Sequence, residues 1–116
     1  MQLSFTERDG ITTVAIAGRI TFATLEPAQD SLAREMPDVY SRRVLFDLAG
    51  TEYIDSTGVS WLLTCHKRCR EGGGRLMLHS LAPLVKQVLQ VLKLDRVLLI
   101  ADNAEKARAG LNEVTA

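Results

Sequence analysis

Five residues in the middle of the chain, Ile54-Asp55-Ser56-Thr57-Gly58, set an acid, two hydroxyls and a glycine between an apolar run and a helix-like stretch. Three chemistries are open to such a serine. It can cap the helix, accepting from a backbone N–H that has no partner inside it, for about 1 kcal/mol. It can be a nucleophile, or it can carry a phosphate. A nucleophile needs an activating base, and only His66 and His79 are available. His66 lies further along the same predicted helix, about 15 Å away at about 1.5 Å of rise per residue. His79 ends a different predicted strand, and no Gly-x-Ser-x-Gly elbow surrounds Ser56. An enzyme is therefore not expected. A phosphate fits the position well, because a helix start offers free N–H donors and partial positive charge. It would add about −1.5 to −2 charges, enough to reject a partner that binds the uncharged face. Asp55 would add like-charge repulsion after modification, and before it could orient the hydroxyl or accept from it.

Other residues suggest chemistry less well. Cys65-His66-Lys67-Arg68-Cys69 places two thiols at i and i+4, but no second ligand pair exists and a structural zinc site wants four ligands. Free, buried thiols are expected. Gly72-Gly73-Gly74 follows a helix rather than opening one and lacks a Lys-Ser/Thr, so it reads as a C-cap and turn, not a phosphate loop. Lys67, Arg68 and Arg70 suit the negative end of the helix dipole. Trp61 falls off the face made by Val59, Leu62, Leu63 and His66. It is either an exposed interface anchor one turn from Ser56 or a ring lying flat against a neighbouring loop.

The elements that position these residues follow from periodicity. Leu3–Glu7 and Ile11–Ala17 alternate about Asp9-Gly10 and predict a hairpin that Gly18 ends. Leu25, Ala28, Leu32 and Ala33 predict a helix over 23–36, closed by Pro37. A strand over 43–48 leads to the helix over 56–70, and a strand over 75–79 follows the glycines. Ser80 is expected to cap a third helix with Leu84, Val85, Val88, Leu89 and Leu92 as its core face. Val97–Ile100 is expected as the last strand, with Asp102 and Glu105 as the capping pair of the final helix. The order β-β-α-β-α-β-α-β-α predicts an α/β domain: a mixed, mostly parallel sheet of four to five strands with about four helices and right-handed crossovers.

Bulk properties narrow the function. At 116 residues, without repeats or linkers, one domain over 1–116 is expected. The 14 basic residues balance 14 acidic ones, which argues against nucleic acid as partner and against steering to an anionic membrane. No apolar segment reaches the roughly 20 residues of a membrane span, and MQLSFTERDG does not read as a signal peptide. With no disulfide expected, the cytoplasm is the predicted location.

The stretch LFDLAGTEYIDSTGVSWLL resembles the central motif of STAS domains, specifically the bacterial anti-sigma factor antagonists, where a strand leads through Asp-Ser-(Ser/Thr)-Gly into an apolar helix. Ala17-Gly18, Gly72-Gly73-Gly74 and Ser80–Leu89 extend the resemblance over nearly the whole chain. It implies a phosphorylation-gated partner switch, without cofactor or metal, monomeric when free. The partner would be an anti-sigma factor of the ATPase-fold type that is itself the serine kinase, and a PP2C-type phosphatase would reset the phosphorylated form. The resemblance makes Ser56 the phosphate acceptor, Thr57 a secondary one, Asp55 the companion acid and Gly58 the residue that keeps the helix start uncluttered. The implied partner surface comprises Asp55, Ser56, Thr57, Gly58, Ser60 and Trp61, with Arg19 and Thr21 of the loop after the second strand. That loop reads Gly18-Arg19-Ile20-Thr21 and lacks both acids of the Gly-Glu-x-Asp form many members carry, and Ser60 stands where several have glycine. A constitutive interaction subunit of a transport or signalling assembly, or a domain binding a small ligand at the helix start, are the other readings.

Overall fold

The computed structural model describes residues 1–113. Two strands, β1 (Gln2–Arg8) and β2 (Ile11–Ile20), form the expected hairpin, antiparallel in register from Gln2↔Ala17 to Arg8↔Ile11. Its turn uses Asp9 and Gly10, both at positive φ. Helix α1 (Phe22–Glu35), strands β3 (Arg43–Asp47) and β4 (Thr51–Ile54), helix α2 (Ser56–Glu71), strand β5 (Arg75–His79), helix α3 (Pro83–Val91), the short β6 (Ile100–Ala101) and helix α4 (Ala104–Glu113) follow. No described helix is long and apolar enough to cross a membrane.

The sheet has six strands rather than four or five, in the order β1-β2-β3-β5-β6, with β4 also paired to β2. After the hairpin all pairings are parallel. The extra strand follows from the length of β2. Gly18 does not end it: the chain passes through Gly18 at φ +97° with a bulge between Gly18 and Arg19 and stays extended to Ile20. The first half of β2 pairs with β3 and the second half with β4, so β3 and β4 lie end to end along one edge of β2. The turn between them is closed by Thr51 N–H donating to Leu48 O (3.0 Å) and Gly18 N–H to Gly50 O (2.9 Å). Inside it, the buried Thr51 hydroxyl donates to Ile16 O at 2.8 Å.

Val44, Leu45 and Phe46 are all buried, as expected of a parallel strand covered on both faces. Val44 and Phe46 join the larger core with α1, α2 and α3. Leu45 joins Ile11, Met77, Ala107 and Leu111 in a smaller core beneath α4. Several expectations shift. Leu32 and Ala28 are buried in α1, but Ala33 is exposed. In α3 only Val85 and Leu89 are fully buried; Leu84 and Leu92 are exposed, because this nine-residue helix meets the domain along a narrow line. Ser80 does not cap α3. It sits at φ +60° with its Oγ 2.8 Å from His79 Nδ1, and the helix starts at Pro83. The last strand shrinks to Ile100–Ala101, leaving Val97 exposed. Asn103, not Asp102, caps α4, its Oδ1 accepting from Lys106 N–H at 2.9 Å, while Asp102 pairs with the Lys106 ammonium.

Both histidines are buried, and burial pushes each below its usual pKa. Arg70 and Arg75 reinforce the effect at His66; at His79 Asp47 opposes it and Arg108 adds to it. A histidine depressed in the fold binds its proton more readily once unfolded. Its contribution is thus intact above the unfolded pKa of about 6.5 and is lost as pH falls from there through the folded value. The thermal midpoint should drop between about pH 7.5 and pH 5, and His79→Gln should flatten that profile; calorimetry across the range checks both.

Candidate functional site

The site forms where β2 and β4 end side by side. Arg19 pairs with Tyr53 and Ile20 with Ile54, after which the chain leaves β2 through Thr21 into α1 and β4 through Asp55 into α2. Two helix starts therefore emerge together at the carboxyl edge of adjacent parallel strands, where ligand and partner sites of α/β folds concentrate. Asp55 N–H donates to Ile20 O at 3.2 Å and extends the pairing one residue past β4.

The Asp55 side chain then joins the two helices. Its Oδ1 accepts from Gly58 N–H at 2.8 Å, capping α2, and its Oδ2 accepts from Phe22 N–H at 3.0 Å, in the first turn of α1. These two backbone N–H groups, Gly58 first and Phe22 second, hold the carboxyl below its ordinary pKa. The α1 start is completed by Thr24, whose Oγ1 accepts from Thr21 N–H (3.0 Å) and donates to Arg19 O (2.7 Å). Gly58 is required for the approach. A Cβ there would collide with Ile20 O and stand 2.7 Å from Ile54 Cγ1.

Ser56 is consequently not the cap. Asp55 occupies that position with extended backbone (φ −101°, ψ −176°), and Ser56 is the first residue of the helix proper, exposed to solvent. Thr57 is half-buried, and Ser60 is exposed one turn along. The N–H groups of Ser56 and Thr57 belong to the first turn, where no intrahelical carbonyl is available to them. Arg19 lies in β2 rather than in a loop and places its guanidinium 4.6 Å from the centre of the Tyr53 ring; Thr21 is the residue that caps α1. Arg19, Thr21, Phe22, Tyr53 and Asp55 line one shallow open depression. Phe22 is 69% exposed and Tyr53 38%, so two aromatics that the sequence reading did not single out line the same depression as Arg19, Thr21 and Asp55. Phe22 carried one usable signal: a large apolar residue at a helix start, off the stripe of Leu25, Ala28 and Leu32.

The model of the STAS domain family matches residues 2–107. The chain belongs to that family. It is 30% identical over 109 residues to a Bordetella bronchiseptica protein provisionally named anti-sigma factor antagonist BtrV, covering 94% of this chain and 93% of that one. In structure it is similar to a Thermotoga maritima protein provisionally named anti-sigma factor antagonist (TM-score 0.85, 20% identity, 95% of this chain and 94% of that chain). It is similar also to the anti-sigma factor antagonist SpoIIAA in its unphosphorylated form (TM-score 0.72, 15% identity, 99% and 100%). The STAS motif residues Asp55 to Gly58 are those that occupy the helix junction.

Trp61 departs from the expected surface. It is only 4% exposed, its ring stacked on Phe46 with centroids 5.6 Å apart and planes 18° from parallel. Helix α2 buries more than one stripe: besides Val59, Leu62 and Cys69, the residues Trp61 and Cys65 beside that stripe join the core that also holds Leu32 and Val39. Trp61 is a core residue rather than an exposed anchor. Cys65 and Cys69 are free and buried, and burial raises their thiols to about 12 and about 11, leaving them protonated at neutral pH. Among the described residues no group of three or more His, Cys, Asp or Glu gathers for a metal.

Two outcomes test this geometry. Asp55→Ala should lower the thermal midpoint by several degrees, having freed two helix starts at once, whereas Ser56→Ala should change stability by less than about 0.5 kcal/mol. Trp61→Ala should cost about 3–5 kcal/mol in chemical denaturation, the range for emptying a buried aromatic site, where loss of a surface anchor would cost almost nothing.

Proposed function

We propose that this STAS domain is an anti-sigma factor antagonist working as a phosphorylation-gated switch. Unmodified, it binds an anti-sigma factor that is also an ATP-dependent serine kinase and displaces that protein's client. Phosphorylated on Ser56 it lets go, and a PP2C-type phosphatase restores it. The observation that carries the reading is the division of labour between neighbours: Asp55 takes the cap, so the Ser56 hydroxyl stands exposed and structurally uncommitted. A phosphate can be added and removed there without dismantling the helix start.

The electrostatics favour release. Asp55 has its pKa lowered by the Gly58 and Phe22 amides and is ionised at neutral pH. A phosphoserine beside it adds about −1.5 to −2 charges. The pair faces any partner with concentrated negative charge at the rim of a depression whose anchoring groups are Phe22, Tyr53 and Arg19. Exposed aromatic and arginine side chains are the residue types that most often dominate binding energy. Thr57, as the secondary acceptor, is half-buried and less open than Ser56. The relation to proteins named anti-sigma factor antagonists supports the assignment of partner class.

Pull-downs from source-cell lysate with wild type, Ser56→Ala and Ser56→Asp, read by mass spectrometry, check it. Wild type and Ser56→Ala should capture an ATPase-type serine kinase and Ser56→Asp should lose it by at least about tenfold, the equivalent of about 1.4 kcal/mol. Equal capture of the same proteins by all three would instead make the domain a constitutive interaction module.

A further inference from the structure

The far end of α2 from Ser56 borders a separate cavity of about 240 Å³, between α2, the start of β5 and the segment leading to β6. Its polar wall is His66, Arg70 and Arg75; its apolar wall is Leu76, Val97 and Leu99. Among the described residues no carboxylate lines it. The Nε of Arg75 is buried and finds no hydrogen-bond acceptor among the described residues. Native proteins rarely leave a buried donor of a charged group unmet. His66 is only 8% exposed and has no acid beside it.

We propose that this cavity binds a tetrahedral oxyanion of the phosphate class, held by Arg75 and Arg70 with His66 as the third ligand. Guanidinium forks match phosphate oxygens in pairs, and two arginines line this cavity with no carboxylate among its lining residues to neutralise them. The volume is below that of sites for drug-sized ligands, about 300–1,000 Å³, so the ligand is a phosphate or a phosphomonoester with a short substituent against Leu76, Val97 and Leu99. The electrostatics around His66 give binding a signature. Burial first, and then Arg70 and Arg75, hold its imidazole below the usual pKa. These two arginines, from α2 and β5, are the charged groups facing it, since the segment before β6 brings only Val97 and Leu99. An incoming dianion offsets both cations, so the imidazole takes up a proton and becomes a further donor. The site shares no residue with the Ser56 surface and stands or falls independently of the switch.

The test is an NMR titration of the full chain at constant ionic strength, following the imidazole resonances of His66 and His79. Inorganic phosphate, methyl phosphate and acetate are the probes. Phosphate or methyl phosphate should move His66 saturably and leave His79 in place, and the tighter of the two tells a free ion from an ester. Arg75→Gln and the exposed-site variant Arg70→Gln should each weaken binding about tenfold or more, with Arg68→Gln, on the same helix outside the cavity, unchanged. Absence of a saturable His66 response, equal binding of acetate, or wild-type affinity in a folded Arg70→Gln protein would overturn the proposal.

Discussion

One carboxylate sets the geometry of this domain's working edge. Asp55 caps α2 with one oxygen and ties in the first turn of α1 with the other. Helix starts carry partial positive charge and unpaired N–H groups, so two placed side by side would repel and remain unsatisfied without an anion between them. Supplying that anion from within the chain has a consequence for Ser56. With the capping work done by its neighbour, the serine is free to be chemistry rather than structure.

The sheet makes the convergence possible. Because β3 and β4 lie end to end on one edge of β2, the ends of β2 and β4 come out level and deliver two helices to the same spot. Gly58 lets the first turn of α2 sit against Ile20 and Ile54, where a methyl group would collide. The Thr51 hydroxyl bound to Ile16 O stabilises the step between the two short strands from inside the core. The exposed surface that results carries an aromatic pair, an arginine over one ring and the Asp55 carboxylate, with Ser56 exposed beside it.

Much of this was legible in the sequence, and what was not has physical reasons. The Asp-Gly hairpin, the apolar alternation and the helical stripes were local signals and gave the order of the strands and α-helices apart from β4. Strand β4 gave none, because four residues with only Thr51 and Ile54 buried show neither alternation nor a continuous apolar run. Asp55 and Ser56 are both good capping residues one position apart, and choosing between them needs the Phe22 amide, thirty-three positions away in sequence. Trp61 was ambiguous because helical periodicity shows one apolar stripe, whereas α2 is covered on more than one side. Phe22 and Tyr53 join the surface only through the β2–β4 pairing, which is non-local.

The central claim is that a single ionised carboxylate holds both helix starts, and titration of the Asp55 carboxyl carbon by NMR, alongside the Phe22 and Gly58 amides, tests it most directly. The account predicts an Asp55 midpoint below the ordinary value of about 3.9, with both amides shifting at that same midpoint as the shared acceptor is protonated. An Asp55 that titrates at the ordinary value, or a Phe22 amide indifferent to it, would contradict the account.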